Sequence, residues 1–197
     1  MRILPLLVLV LAAFLPLVGC KSSGMRPSGE AALMVPTADS AIVVFMRPAT
    51  FGGAIQSVVY EATTPNHSMV GIVSSGTKVA YRTPPGEHMF MVVSESADFL
   101  RATLDAGKTY YVLVTPRMGV WRARFSLKPV RAADFDTSRF KSWDRSTKLY
   151  ENTDASQAWA VNNAPSVQKR RDEAQPRWHN KPDDDKADAT LLASDGR

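Results

Sequence analysis

The residues best suited to bind a metal ion lie in two short clusters, His67-Ser68-Met69 and His88-Met89-Phe90-Met91. Imidazole and thioether groups are soft ligands that suit copper(I). In a β-strand, however, successive side chains point to opposite faces, so His88 lies opposite Met89 and Met91. Methionine is a common filler of strand cores. We therefore interpret the second cluster as core packing, with a copper(I) site at His88, Met89 and Met91 as the alternative.

The pattern nearest to a catalytic motif is Ser-x-x-Lys, which begins at Ser75, Ser138 and Ser166. In penicillin-binding enzymes this spacing puts a lysine one helical turn from the nucleophile. Three matches in so short a chain, without the companion Ser-Asp-Asn and Lys-Thr-Gly elements, indicate coincidence. The three histidines share no close spacing, and there is no glycine-rich phosphate loop. We expect neither an enzyme nor a cofactor.

Basic side chains lie on the polar phases of two predicted strands. Such residues, if the strands are neighbours, form a stripe able to bind phosphate or carboxylate groups of lipopolysaccharide, phospholipid or peptidoglycan. A solvated sheet face is the simpler interpretation of the same pattern. The residues are Lys78, Arg82, Arg122, Arg124 and Lys128.

The N-terminus has the composition of an export signal. Arg2 is followed by an uncharged run from Ile3 to Val18, which is typical of a secretory signal peptide. Leu17-Val18-Gly19-Cys20 resembles the lipobox of bacterial lipoproteins. The resemblance implies that residues 1–19 are removed and that Cys20 carries the acyl chains that hold the protein on a membrane. Lys21, rather than aspartate, follows the cysteine and favours the periplasmic face of the outer membrane.

The composition of the chain excludes an internal disulfide and argues against a nucleic-acid partner. Cys20 is the only cysteine, so a disulfide within one chain is excluded. The whole chain has a formal charge of +5, but the segment from Arg131 onward has twelve basic and twelve acidic residues. Because this tail is balanced, it is not a basic arm, and we reject nucleic acid as a partner.

The elements that position these residues fall into three parts. Residues 20–39 are rich in Ser, Gly, Pro and Ala and predict a flexible tether with a reach of roughly 60 Å. Residues 40–130 contain short apolar runs separated by turn signals, which predict a β-sandwich of seven to eight antiparallel strands. The runs are Ala41 to Met46, Ile55 to Tyr60, Met69 to Val73, Lys78 to Arg82, His88 to Ser94, Leu100 to Leu104, Thr109 to Thr115 and Trp121 to Lys128.

Residues 131–197 predict a helical tail. Asp154 can cap a helix that continues to Asn162, and Pro165 can open a second helix that Pro176 ends. Pro182 and the three aspartates after it predict a third helix. Three of the four tryptophans lie in this segment, and such aromatic content favours docking, on the sandwich or on a partner, over disorder.

Four turn and strand motifs together resemble an uncharacterised family of small bacterial lipoproteins. The family's domain is thought to be a transthyretin-like or carboxypeptidase-regulatory-like β-sandwich, related in architecture to Ig-like domains. The resemblance covers about residues 41–130 and implies architecture, but no established active site. The motifs are Arg47-Pro48, Gly52-Gly53, Pro84-Pro85-Gly86-Glu87-His88 and Ala106-Gly107-Lys108-Thr109-Tyr110-Tyr111-Val112.

These observations predict a membrane-anchored envelope lipoprotein that acts as a non-catalytic binding or assembly module with a protein partner in the envelope. The alternative is a carrier or sensor of a metal ion or an anionic envelope ligand. An enzyme that acts on an envelope polymer is the third possibility.

Overall fold

A computed structural model describes residues 23–117 and 124–197. The fold is mainly β with a helical C-terminal part, as predicted. Its eleven strands in the described ranges are β1 (Arg26–Pro27), β2 (Ala41–Arg47), β3 (Ser57–Glu61), β4 (Ser68–Val73), β5 (Thr77–Thr83), β6 (Gly86–Val93), β7 (Ala97–Leu104), β8 (Thr109–Arg117), β9 (Arg124–Pro129), β10 (Lys148–Glu151) and β11 (Thr190–Leu191). The α-helices are α1 (Ser138–Ser146), α2 (Asp154–His179) and α3 (Asp183–Asp188).

The strands form two sheets. Sheet I has the order β1-β10-β5-β2-β8-β9, and sheet II has the order β11-β7-β6-β3-β4. The chain crosses repeatedly between them, because β2, β5 and β8 belong to sheet I while the two strands after β2 and the two after β5 belong to sheet II. All seven residues of β2 are buried, as expected for a strand with both faces covered.

Strand pairing differs from the prediction of seven to eight antiparallel strands. Three pairs are parallel: β2 with β8, β10 with β5, and β11 with β7. Turn residues in the sequence predict only how consecutive strands are connected. The β2–β8 pair joins strands far apart in sequence, and β10 and β11 come from the predicted helical tail, so neither relationship leaves a local pattern.

Side chains that point inward from the long strands fill the space between the two sheets. Phe45 of β2 packs edge-on against Phe90 of β6, with ring centroids 5.1 Å apart. Phe125 and Leu127 of β9 are buried in the same cluster. Burying an aliphatic or aromatic side chain of this size contributes roughly 1.5–3 kcal/mol.

The C-terminal part covers the outer faces of both sheets. Phe135 and Phe140 pack on Tyr111 of sheet I, with centroids 5.6 and 4.9 Å from the tyrosine ring. Trp178 of α2 packs on Phe99 of sheet II at 6.0 Å. The tail therefore docks on the sandwich, which gives helix, sheet, sheet and helix layers.

Helix α2 is a single helix of 26 residues, although Pro165 and Pro176 predict two. Its N-cap is Thr153 rather than Asp154, and Ser156 completes a capping box. Both prolines lie on the exposed side of the helix. Water can therefore hydrate the carbonyl groups that lose a donor, and packing of the opposite face maintains the helix across them. The third predicted helix is α3, which begins after Pro182.

The predicted tether is shorter than residues 20–39. β1 pairs with β10, and Arg26 Nε lies 2.5 Å from Glu151 Oε1. Met25 packs against the core between the sheets and against the outer face of sheet II. The chain thus joins the folded body at Gly24 and Met25. A two-residue strand leaves no hydrophobic alternation, so this docking is absent from the sequence pattern.

Candidate functional site

The candidate copper ligands do not converge. Met91 is fully buried, and Met89 packs against the same cluster under α2. His88 lies on the opposite phase of β6, where its ring stacks on Phe90 with centroids 5.9 Å apart. In the described ranges, no group of three or more His, Cys, Asp or Glu residues is placed to hold a metal ion. The methionines act here as core residues.

The predicted basic stripe is divided. β5 carries Lys78 and Arg82, but β2 and β8 lie between it and β9, which carries Arg124 and Lys128. At about 4.8 Å per strand, the two groups are roughly 14 Å apart. Lys78 is also buried, and its Nζ lies 2.5 Å from Asp144 Oδ1. Arg122 lies outside the described residues.

Arg82 has a structural role. Its guanidinium donates to Ser40 Oγ at 2.8 Å and to the Val35 carbonyl oxygen at 2.7 Å, so it holds the segment that precedes β2. Arg124, by contrast, lines a cleft.

A cleft of about 290 Å³ lies between α2, the start of β7, the end of β8 and the start of β9, and we call it the cationic cleft. Its lining includes five basic and two acidic side chains, a net charge of +3. Apolar groups, among them Phe99 and Phe125, line the same cleft. The charged residues are Arg117, Arg124, Arg170, Arg177, Lys181, Asp98 and Glu173.

Asp98 organises one side of the cationic cleft. Its Oδ2 accepts hydrogen bonds from Ser126 Oγ at 2.8 Å and from Arg117 Nη2 at 3.1 Å. Lys181 Nζ lies 3.7 Å from the other carboxylate oxygen and 5.1 Å from the Trp178 ring centroid. Asp98 thus joins β7 of sheet II to β9 of sheet I and fixes two of the cations.

Arg124 of β9 and Arg177 of α2 are different. Both are exposed, and neither side chain has a hydrogen-bond or ion-pair partner among residues 23–117 and 124–197. Arg170 donates to Ser166 Oγ at 2.5 Å on its own helix. The cleft therefore presents two guanidinium groups whose donors are available to a ligand. A guanidinium can bind a phosphate or carboxylate group through two parallel hydrogen bonds.

Sequence reasoning identified Arg124 but missed the other residues of the cleft. They come from β7, β8, α2 and the segment after α2, and Asp98 and Lys181 are 83 positions apart in sequence. Arg170 and Arg171 are adjacent in sequence, yet Arg170 is half-buried and lines the cleft while Arg171 is buried. No short sequence motif contains the residues of the cleft, so a local pattern could not predict the site.

Two buried arginines outside the cleft have structural roles. Arg171 of α2 donates to the carbonyl oxygens of Pro65 at 2.5 Å and Thr64 at 3.0 Å, which fixes the β3–β4 loop. Arg47 is fully buried and donates to Ile55 and Gly52 carbonyl oxygens at 2.6 and 2.7 Å. Burial lowers the pKa of the Arg47 guanidinium, because it disfavours the charged form.

Several residues of the resemblance motifs stabilise turns. Arg47 binds the loop that contains Gly52, which has φ +67°. Gly107 has φ +73° in the β7–β8 turn, a conformation that glycine adopts without a steric cost. His88 Nε2 lies 3.0 Å from the Pro84 carbonyl oxygen, to which a protonated Nε2 donates. The motif residues in these contacts therefore stabilise the turns of the fold.

Cys20 and the segment 1–19 lie outside the described residues. The nearest described anchor point is Gly24, whose carbonyl oxygen accepts a hydrogen bond from Thr153 Oγ1. In the part of the chain that the structure describes, no helix is long and apolar enough to span a membrane.

Comparison with known proteins gives no assignment. No protein-family model matches this chain, and no curated protein matches it significantly.

Proposed function

We propose that this protein is a lipid-anchored lipoprotein of the bacterial envelope that acts as a non-catalytic binding or assembly module. In this proposal, residues 1–19 are the signal peptide, and acylated Cys20 anchors the mature protein to the periplasmic face of the outer membrane. Two or three acyl chains on one cysteine suffice for stable anchoring, because each buried methylene contributes about 0.8 kcal/mol.

The observation that carries the proposal is the docking of Gly24 and Met25 on the fold. Three residues lie between Cys20 and Gly24, and the four steps from one to the other span at most roughly 14 Å. An acylated Cys20 would therefore keep the body next to the bilayer with its β1–β10 edge and the start of α2 nearest the membrane. A fixed position suits a protein that presents a binding surface.

We also propose that the domain is an Ig-like or transthyretin-like sandwich of the lipoprotein family that its motifs resemble. The strands β2 to β9 would be the common sandwich, and β1, β10 and β11 would be additions at its edges. The dense apolar packing between the sheets supports a scaffold with its binding surfaces outside the core.

The anchoring is tested by fractionating cells that express the protein or a Cys20→Ser variant in which a signal peptide that is cleaved without a cysteine replaces residues 1–19. We expect the wild-type protein in the outer-membrane fraction and the variant in the soluble periplasm. Equal membrane association of the two proteins would overturn the proposal. Thermal unfolding of the purified variant controls for misfolding.

The assembly role is tested by cross-linking in cells, followed by affinity purification of the detergent-solubilised lipoprotein. A partner of the proposed assembly should be recovered reproducibly with the wild-type protein. It should be reduced when a flexible insertion of 20 residues before Gly24 releases the body from the membrane. Recovery of no reproducible partner would contradict the assembly role.

A carrier or sensor of an anionic ligand is the second candidate, and the cationic cleft favours it. The metal-binding form of this candidate has less support, because His88 and the methionines Met89 and Met91 lie on opposite phases of β6. Copper(I) titration of the wild-type protein and of a Met89→Ala, Met91→Ala variant tests it. Unchanged binding would remove that site.

A further inference from the structure

We propose that the cationic cleft is a binding site for a phosphomonoester, such as a phosphorylated sugar of an envelope polymer. The proposal concerns the folded body alone. It stands or fails separately from the acylation of Cys20.

Charge is the first argument. The five cations and two carboxylates that line the cleft leave a net charge of +3. A phosphomonoester has a charge near −2 at neutral pH. It offsets this excess better than a single carboxylate or a phosphodiester, each of which has a charge of −1.

The available donors are the second argument. Asp98 already accepts from Arg117 and lies 3.7 Å from Lys181, so these cations are held at the site but partly neutralised. The side chains of Arg124 and Arg177 have no hydrogen-bond or ion-pair partner among the described residues. They extend from two different elements, β9 and α2. Two guanidinium groups provide donors for several of the acceptor oxygens of one phosphate group.

The size and walls of the cleft are the third argument. A volume of about 290 Å³ is at the lower end of the range for small-molecule sites and accommodates a monosaccharide phosphate. The aromatic rings of Phe99, Phe125 and Trp178 line the cleft beside the charged groups. They provide an apolar wall for the carbon skeleton while the cations bind the phosphate.

The test is calorimetric titration of glucose 1-phosphate into the exported Cys20→Ser protein, with glucuronate as a carboxylate sugar for comparison. We expect saturable binding of the sugar phosphate and at least tenfold weaker binding of glucuronate. Arg124→Gln and Arg177→Gln should each weaken the binding of glucose 1-phosphate about tenfold, the effect of losing one charge-assisted interaction.

Two further variants separate a site from general electrostatics. Arg139→Gln removes an exposed arginine of α1, away from the cleft, and should leave the affinity unchanged. Glu173→Gln removes a carboxylate from the lining and should strengthen binding several-fold. All four substituted side chains are exposed, so each variant should keep the thermal unfolding midpoint of the Cys20→Ser protein.

Flotation with phosphatidylglycerol vesicles distinguishes a lipid headgroup from a sugar phosphate. Binding to vesicles without binding of glucose 1-phosphate would overturn the proposal, as would equal affinities for glucose 1-phosphate and glucuronate. An Arg139→Gln effect as large as that of Arg177→Gln would also overturn it. Failure of the anchoring test with intact phosphate binding would remove only the proposed location.

Discussion

Thr153 Oγ1 donates a hydrogen bond to the carbonyl oxygen of Gly24, which is 129 positions away in sequence. The same hydroxyl oxygen caps the first turn of α2 by accepting from the Ser156 backbone N–H. One side chain thus begins the long helix and fastens the N-terminal segment to it.

Thr153→Val should destabilise the protein by about 1–2 kcal/mol, because it removes a helix cap and a hydrogen bond to the N-terminal segment. Urea unfolding measures the loss, and hydrogen exchange should be faster in residues 24–34. Thr153→Ser keeps the hydroxyl and should remain close to wild type. Equal protection of residues 24–34 in all three proteins would show that this contact does not hold the segment.

Arg171→Met should destabilise the protein by about 3–5 kcal/mol. The side chain is only 7% exposed, and its loss leaves carbonyl oxygens of the β3–β4 loop without a donor. Chemical unfolding gives the difference. Lys169→Met, at an exposed position of the same helix, is the matched control and should change stability by less than about 0.5 kcal/mol. Similar losses in both variants would contradict the assigned role.

Gly71→Ala should cost about 1–3 kcal/mol, because the added Cβ would lie 2.9 Å from Val79 Cγ1 in the core. Gly29→Ala is the control, since no atom lies within 4 Å of a Cβ at that position. Thermal unfolding compares the two variants. A second change, Val79→Ala, should recover part of the loss from Gly71→Ala, and no recovery would mean that the two side chains do not compete for space.

Tyr60→Phe tests a buried hydroxyl through pH dependence. Burial raises the pKa of Tyr60 to about 12 from its ordinary value of 10.0. Above pH 10 the unfolded state releases the phenolic proton first, so this contribution to stability is lost as the pH rises from about 10 to 12. A pKa shift of about two units corresponds to a contribution on the order of 2–3 kcal/mol to the free energy of unfolding.

The measurement is the free energy of unfolding of the wild-type protein and Tyr60→Phe from pH 8 to 12. The variant should be equally or more stable at pH 8, because Tyr60 Oη has no hydrogen-bond partner among the described residues. Its advantage should grow above pH 10. Burial also raises the pKa of Tyr81 and Tyr110, so only the difference between the two proteins reports on Tyr60. Parallel pH curves would contradict a raised pKa for Tyr60.

The sequence predicts the long strands well because hydrophobic alternation and turn residues act locally. Each run that predicts a strand overlaps one of β2 to β9. Parallel pairing and the edge strands β10 and β11 depend on contacts between distant segments. The uninterrupted α2 also depends on packing, which outweighs the local effect of Pro165.

The candidate site is less predictable for the same reason. Arg124 and Arg177 become neighbours of one cleft only after α2 docks on sheet II and β9 pairs with β8. Lys78 and Arg82 match the polar phase of a surface strand, yet Lys78 pairs with Asp144 of α1 and Arg82 donates to the segment before β2. Charge alternation alone does not reveal which cations have partners.

The most direct test of the anchored role is the intact mass of the protein purified from its own membranes. We expect a chain that begins at residue 20 and carries a diacylglyceryl group on sulfur and a fatty acid on the new amine. A mass equal to the unprocessed chain, or to a processed chain with an unmodified Cys20, would contradict it.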